Sequence, residues 1–230
     1  MIRQIFLPGM LSFALILLAI GEVRSAETHV IVGLESTRPV TDMSRLWEEG
    51  ELAAHFSDAR RKFEEGDWEA ASLEVREAAR VFVDEAERSA GDARDRLWIQ
   101  AWQLEQVAIM LKDGSLKSAS IMNNGFVGAH YALAEHYRQK SLDAGAERNI
   151  HKAGRYMAES ARHVRAALMY PGQLADKAMN RAVLNTLNFA AQLIGGAAWT
   201  SDEMGKALSS FGAEMERFQS AVQQPTGIGQ

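Results

Sequence analysis

Residues 54–79 read AHFSDARRKFEEGDWEAASLEVREAA, two charged, alanine-rich runs separated by Gly66-Asp67. Neither run contains proline. Gly66 ends the first run, and the Asp67 carboxylate can accept from the free N–H groups that open the second. The stretch therefore predicts two helices joined by a tight turn, the first from about Asp42 to Glu65 and the second from Asp67 to about Ser89. The same punctuation recurs along the chain. A third helix is expected from Asp92 to Lys112, ending at Asp113-Gly114, after which Ser115 can cap a fourth. The fourth runs to about Ala144 with a weak point at Asn123-Asn124-Gly125, and Gly145 ends it. A fifth covers Glu147 to Met169 and stops at Pro171-Gly172. A sixth spans Gln173 to Ile194 before Gly195-Gly196, and Thr200-Ser201-Asp202-Glu203 is a capping box that opens a last helix to about Val222.

Composition agrees with this all-α reading of six or seven helices in a bundle. The chain has 230 residues, of which 47% are hydrophobic and 24% charged, with 18 Gly and only 4 Pro. That is enough apolar material for a packed core, so disorder is excluded as the main state. The absence of Cys excludes a disulfide scaffold, a thiolate metal site, c-type haem attachment and a cysteine nucleophile. The formal net charge of −5 and interleaved signs, as in Arg60-Arg61-Lys62 beside Glu64-Glu65, argue against nucleic acid as a partner.

The N-terminus carries a different signal. Arg3 precedes a short apolar run, Leu11 to Ile20, and Val23-Arg24-Ser25 offers a cleavage site. Residues 1–25 thus read as a cleavable secretory signal, too short in its apolar part for a permanent span; an uncleaved anchor is the alternative. The expected product is exported, periplasmic or secreted, with no stable membrane span after cleavage. Residues 26–41 read as an extended tether, 42–222 as one helical domain and 223–230, with Pro225, Gly227 and Gly229, as a loose tail.

Within the domain there is an internal echo. Ala54-His55-Phe56-x-x-Ala59 returns as Ala129-His130-Tyr131-x-x-Ala134, and Gly66-Asp67-Trp68 returns as Gly154-Arg155-Tyr156, followed by matching Ala and Ser positions. This suggests a duplicated three-helix unit, 42–113 and 114–196, with 200–222 as a capping helix. Two similar hairpins that converged on one packing pattern are the alternative. The third and sixth helices are the most apolar and carry apolar residues on several sides, which places them at the centre.

The hairpin formed by Ala59, Gly66-Asp67-Trp68, Ala71 and Ala78, echoed near Ala134 to Ala166, resembles a tetratricopeptide-type helical hairpin. In that family small residues let two helices pack closely beside an aromatic after the turn. The resemblance spans about 30 residues. The first helix lacks the family's aromatic and leucine spacing, no proline follows Ala78, and the copies recur beyond the ~34-residue period. What the resemblance implies is a binding surface for a peptide or protein segment.

Candidate chemistry is sparse. Glu51, His55 and Asp58 share one helix face, Glu159 and His163 stand at i and i+4, His130 and His136 are six apart and point about 120° from each other, and the echo sets His55 beside His130 as a pair that could converge on a metal or haem iron. Both histidines also fit a packing role, hydrogen-bonding across a hairpin. Asn185, Asn188 and Gln192 on the sixth helix and Gln100 and Gln103 on the third could line a ligand pocket or bond one helix to another. No phosphate loop, dinucleotide fingerprint, Gly-x-Ser-x-Gly or His-Glu-x-x-His is present. The sequence thus points to a non-catalytic, cofactor-free binding or scaffold module for a protein or peptide partner, with Trp68, Tyr156, His55 and His130 as its surface. The competing expectation is a ligand-, metal- or haem-binding bundle built on the paired histidines or the amides.

Overall fold

The computed structural model describes residues 50–170 and 177–223. The signal, tether and tail, the first residues of the first helix and the Pro171-Gly172 turn lie outside the described residues. Among the described residues there are seven helices and no strand, packed as a bundle: α1 Glu51–Glu64, α2 Trp68–Glu87, α3 Gly91–Lys112, α4 Ala119–Ala146, α5 Ile150–Leu168, α6 Lys177–Ile194 and α7 Ser201–Gln223. No described helix is long and apolar enough to cross a membrane.

Local chemistry sets the helix boundaries. The Asp67 carboxylate accepts from the Ala70 N–H at 3.0 Å, as expected of an N-cap. Thr200 Oγ1 accepts from the Glu203 N–H at 3.2 Å while Glu203 Oε2 accepts from the Thr200 N–H at 3.0 Å, which closes the capping box that opens α7. Several limits differ from expectation: α4 continues through the buried Gly145 to Ala146, and α5 begins at Ile150 after an Asn149 cap. α4 is capped by Ser118, because Ser115 is drawn into the preceding turn by Asp113 Oδ1 at 2.9 Å and Leu116 is buried there. α4 also runs unbroken through Asn123-Asn124-Gly125, where buried Met122, Asn123 and Phe126 fix the helix by tertiary packing against weak local propensity.

Successive helices pack as neighbours, and α4 additionally touches α1 and α7. Two apolar clusters result. One joins α1, α2 and α3 to the first half of α4 through Phe56, Phe82, Leu104, Phe126 and Leu133. The other joins α5, α6 and α7 to α4 through Tyr131, Met157, Leu187, Leu208 and Phe211. Close approach rests on small residues: Ser72 Oγ donates to the Ala108 carbonyl, and Ser141 Oγ to the Ala153 carbonyl, each at 2.8 Å. A Cβ on Gly154 would stand 2.8 Å from that of Leu193, so this glycine is what lets α5 lie against α6.

The central helix is α4, which corrects the expectation that the third and sixth helices fill that place. On α3, Trp98, Ile99, Trp102 and Ile109 are exposed, as is Leu184 on α6. Apolar content says how much surface a helix would gain by being covered. Which helix is covered depends on the path of the chain.

The echo falls differently in space as well. Gly66 lies in the α1 to α2 turn with φ +82°, whereas Gly154 lies inside α5. The counterpart of that turn is Glu147-Arg148-Asn149. In both turns the same three backbone bonds form, Glu65 to Arg61, Gly66 to Phe63 and Asp67 to Lys62 in the first, Glu147 to Asp143, Arg148 to Gly145 and Asn149 to Ala144 in the second. Asn149 Oδ1 then accepts from the Lys152 N–H at 3.1 Å, as Asp67 does from Ala70.

Candidate functional site

Two polar regions meet at α4. The first is interior, between α2, α4 and α5. Glu85 sits on the core stripe of α2 with 6% of its surface exposed, and a carboxylate there requires compensating donors. It accepts from His136 Nε2 at 2.9 Å and from Lys140 Nζ at 2.5 Å, with Arg88 at 3.2 Å. The His136 hydrogen bond, against the cost of burial and with help from Lys140, holds its pKa down at about 2.

Beside this pair, His130 on α4 and His163 on α5 face one another through their Nδ1 atoms at 3.2 Å, their ring centroids 5.5 Å apart. One nitrogen carries the shared proton and the other accepts it. Burial lowers the pKa of both, that of His163 to about 4, so both imidazoles are neutral at pH 7. His163 stacks on Tyr137, Tyr137 on Tyr156, and His130 meets Phe56 edge-on. The Lys140 ammonium lies 5.5 Å from the Tyr137 centroid and 5.3 Å from that of Tyr156, closing the outer end of the stack. His130 Nε2 and His136 Nδ1 are buried with no hydrogen-bond partner among the described residues.

The second region is a groove of about 550 Å³ between α3, α4 and α7. Gln100, Gln103, Gln139 and Gln219 supply amides, Arg96, Glu135 and Glu216 supply charge, and Tyr131, His136 and Met215 supply part of the floor. The Tyr131 hydroxyl donates to the Met215 carbonyl and ties α7 to α4. Arg138 donates to Glu135 at 2.8 Å, which fixes that carboxylate. His136 belongs to both regions, bonded to Glu85 on one side and lining the groove on the other.

The residues singled out from sequence are scattered among these surroundings. His55 and His130 do not form a pair: His55 Nδ1 bonds Glu74 at 2.8 Å and His130 bonds His163. His130, 1% exposed, has no surface to offer a partner. Glu51 is exposed at the start of α1, Asp58 is paired with Arg61 at 2.9 Å, and no group of three or more metal-ligating side chains forms among the described residues. Trp68 is 46% exposed and lies over Gly114, while Tyr156 is half-buried in the aromatic stack. Asn185, Asn188 and Gln192 are exposed, so the amide stripe of α6 faces outward and lines no buried pocket. Gln100 and Gln103 do share one surface, the groove.

Glu85, Tyr137 and the α7 residues of the groove carry no reading from sequence, and His136 and His163, weighed there beside His130 and Glu159, instead meet Glu85 and His130. For Glu85 a signal existed. It continues the spacing of Val75, Ala78 and Phe82, and a carboxylate on such a stripe calls for a buried donor elsewhere in the chain. Compared with known proteins, the chain matches no family model, no curated protein and no solved structure.

Proposed function

We propose that the chain is an exported, non-catalytic helical binding module that holds an extended peptide segment of a protein partner in the groove between α3, α4 and α7. The observation that carries this reading is the amide lining. Gln100, Gln103 and Gln219 each offer a donor and an acceptor without net charge, and Gln139, which gives one N–H to Asp143 Oδ1 at 3.0 Å, adds a carbonyl and a second N–H; such amides suit the alternating N–H and C=O groups of an extended main chain. Apolar and aromatic floor beneath polar walls is the usual make-up of such sites. A module of two three-helix units, 42–113 and 114–196, capped by 200–222, accounts for a groove bordered by the first helix of the second unit. The matching Gly66 and Arg148 turns favour that division.

Selection of displayed peptides against the purified chain tests the reading. Peptides that emerge should lose about tenfold in affinity against a Gln100→Ala, Gln103→Ala double variant. A Trp68→Ala, Tyr156→Ala variant, altered outside the groove, should bind them as the native chain does. Selected peptides indifferent to the glutamine changes, or no enrichment at all, would overturn the groove as the site.

A further inference from the structure

The exposed face of α3 is arranged as a seam. Asp95, Trp98, Trp102, Glu105, Ile109 and Lys112 follow one another at alternating spacings of three and four residues, the repeat that keeps side chains on one line of a helix. Trp98 is 45%, Trp102 62% and Ile109 45% exposed, while the neighbouring face of the same helix, Leu97, Ala101, Leu104, Ala108 and Leu111, is buried in the core. Two exposed tryptophans on one line are the residue type that anchors interfaces.

We propose that this seam joins the chain to a second copy of itself, the two α3 helices packed antiparallel about a twofold axis level with Gln103 and Leu104. Charge selects both the occupant and the direction. Antiparallel pairing sets Trp98 against Ile109 of the other copy, and at each end Asp95 meets Lys112 and Arg94 meets Asp113. Parallel pairing would set Asp95 against Asp95 and Lys112 against Lys112. Glu105, inside the seam, is met by Arg76 of its own chain at 3.4 Å, so its charge is balanced where it faces Trp102 of the other copy. A lipid surface fits the seam poorly, because Asp95 and Glu105 lie on the line that would have to enter the headgroups. The seam is separate from the groove, so the pairing does not depend on the peptide-binding reading.

Sedimentation equilibrium of the full chain over a concentration series should show a monomer–dimer equilibrium. Trp102→Glu should abolish the dimer with the far-ultraviolet circular dichroism unchanged. D95K and K112E should each weaken association by about tenfold, since the twofold doubles every change. The D95K, K112E double variant should recover it, and so should an equimolar mixture of the two single variants, because each supplies the charge the other lacks. A chain that stays monomeric, a dimer unmoved by Trp102→Glu, single variants that associate no more tightly as a mixture than alone, or a monomer that instead binds phosphatidylglycerol vesicles through Trp98 and Trp102 would overturn the proposal.

Discussion

Glu85 and His163 show how much of this protein rests on single buried groups in one protonation state. Burial holds the His163 pKa at about 4, and His130 is displaced in the same direction. An imidazole in the unfolded chain takes up its proton near pH 6.5, so as pH falls from about 6.5 to 4 the unfolded state binds protons that the folded state refuses. Stability contributed by the neutral pair is therefore full above that window and lost across it, by roughly 3 kcal/mol for His163. Glu85 acts lower. Its pKa of about 2 lies below the ordinary carboxylate value, so its contribution persists above about pH 4.5 and is lost between there and pH 2. Urea midpoints measured from pH 8 to pH 3 should thus be flat at first and then fall in two stages. His163→Phe should make the upper stage shallower and leave the lower one. An unchanged slope between pH 6.5 and 4 in that variant would show that the pair does not govern it.

At the scale of elements, the paired turns allow a direct comparison. Gly66 and Arg148 hold the same place between two helices, and both have positive φ, +82° and +61°. Glycine occupies the left-handed region without a Cβ clash, whereas arginine is there at a cost of about 1 kcal/mol. Arg148→Gly should therefore stabilise the protein by about 0.5–1 kcal/mol in urea unfolding, and Gly66→Ala should destabilise it by a similar amount. A loss of stability on Arg148→Gly would mean that the arginine side chain contributes more than the backbone strain removes. This turn was hard to read from sequence, because Arg148 lacks the glycine that marked its counterpart. The aligned letters pointed to Gly154, whose glycine answers to helix packing. The Gly66-Asp67 turn and the Thr200 capping box were legible because their partners lie within a few residues of one another.

Across the whole molecule, α4 is the member on which both apolar clusters depend, since Met122, Phe126 and Leu133 belong to one and Tyr131, Ala134 and Ala144 to the other. A fragment ending at Leu116 would uncover Phe56, on which the Phe126 ring of α4 stacks with centroids 4.0 Å apart. It is expected to lack cooperative thermal unfolding, while a fragment extended to Ala146 regains it; a shorter fragment that unfolds cooperatively would show that the first three helices are a unit by themselves. In α3 and α6 apolar content and burial part company, since Trp98, Ile99, Trp102, Ile109 and Leu184 remain exposed. Apolar side chains on α3 are surplus to its own packing and stand at the surface as a seam. The sequence alone determined the all-helical class, the order of the helices and the residues that cap several of them, because helix periodicity and capping act over a few residues. Only the tertiary structure decided that α4 is central, that His130 meets His163 and not His55, that Glu85 is answered by His136 and Lys140, and that Gln100 and Gln103 face α7. Those pairings join residues far apart in the chain, and the free energy that selects them comes from which surfaces are buried together, which no local pattern encodes.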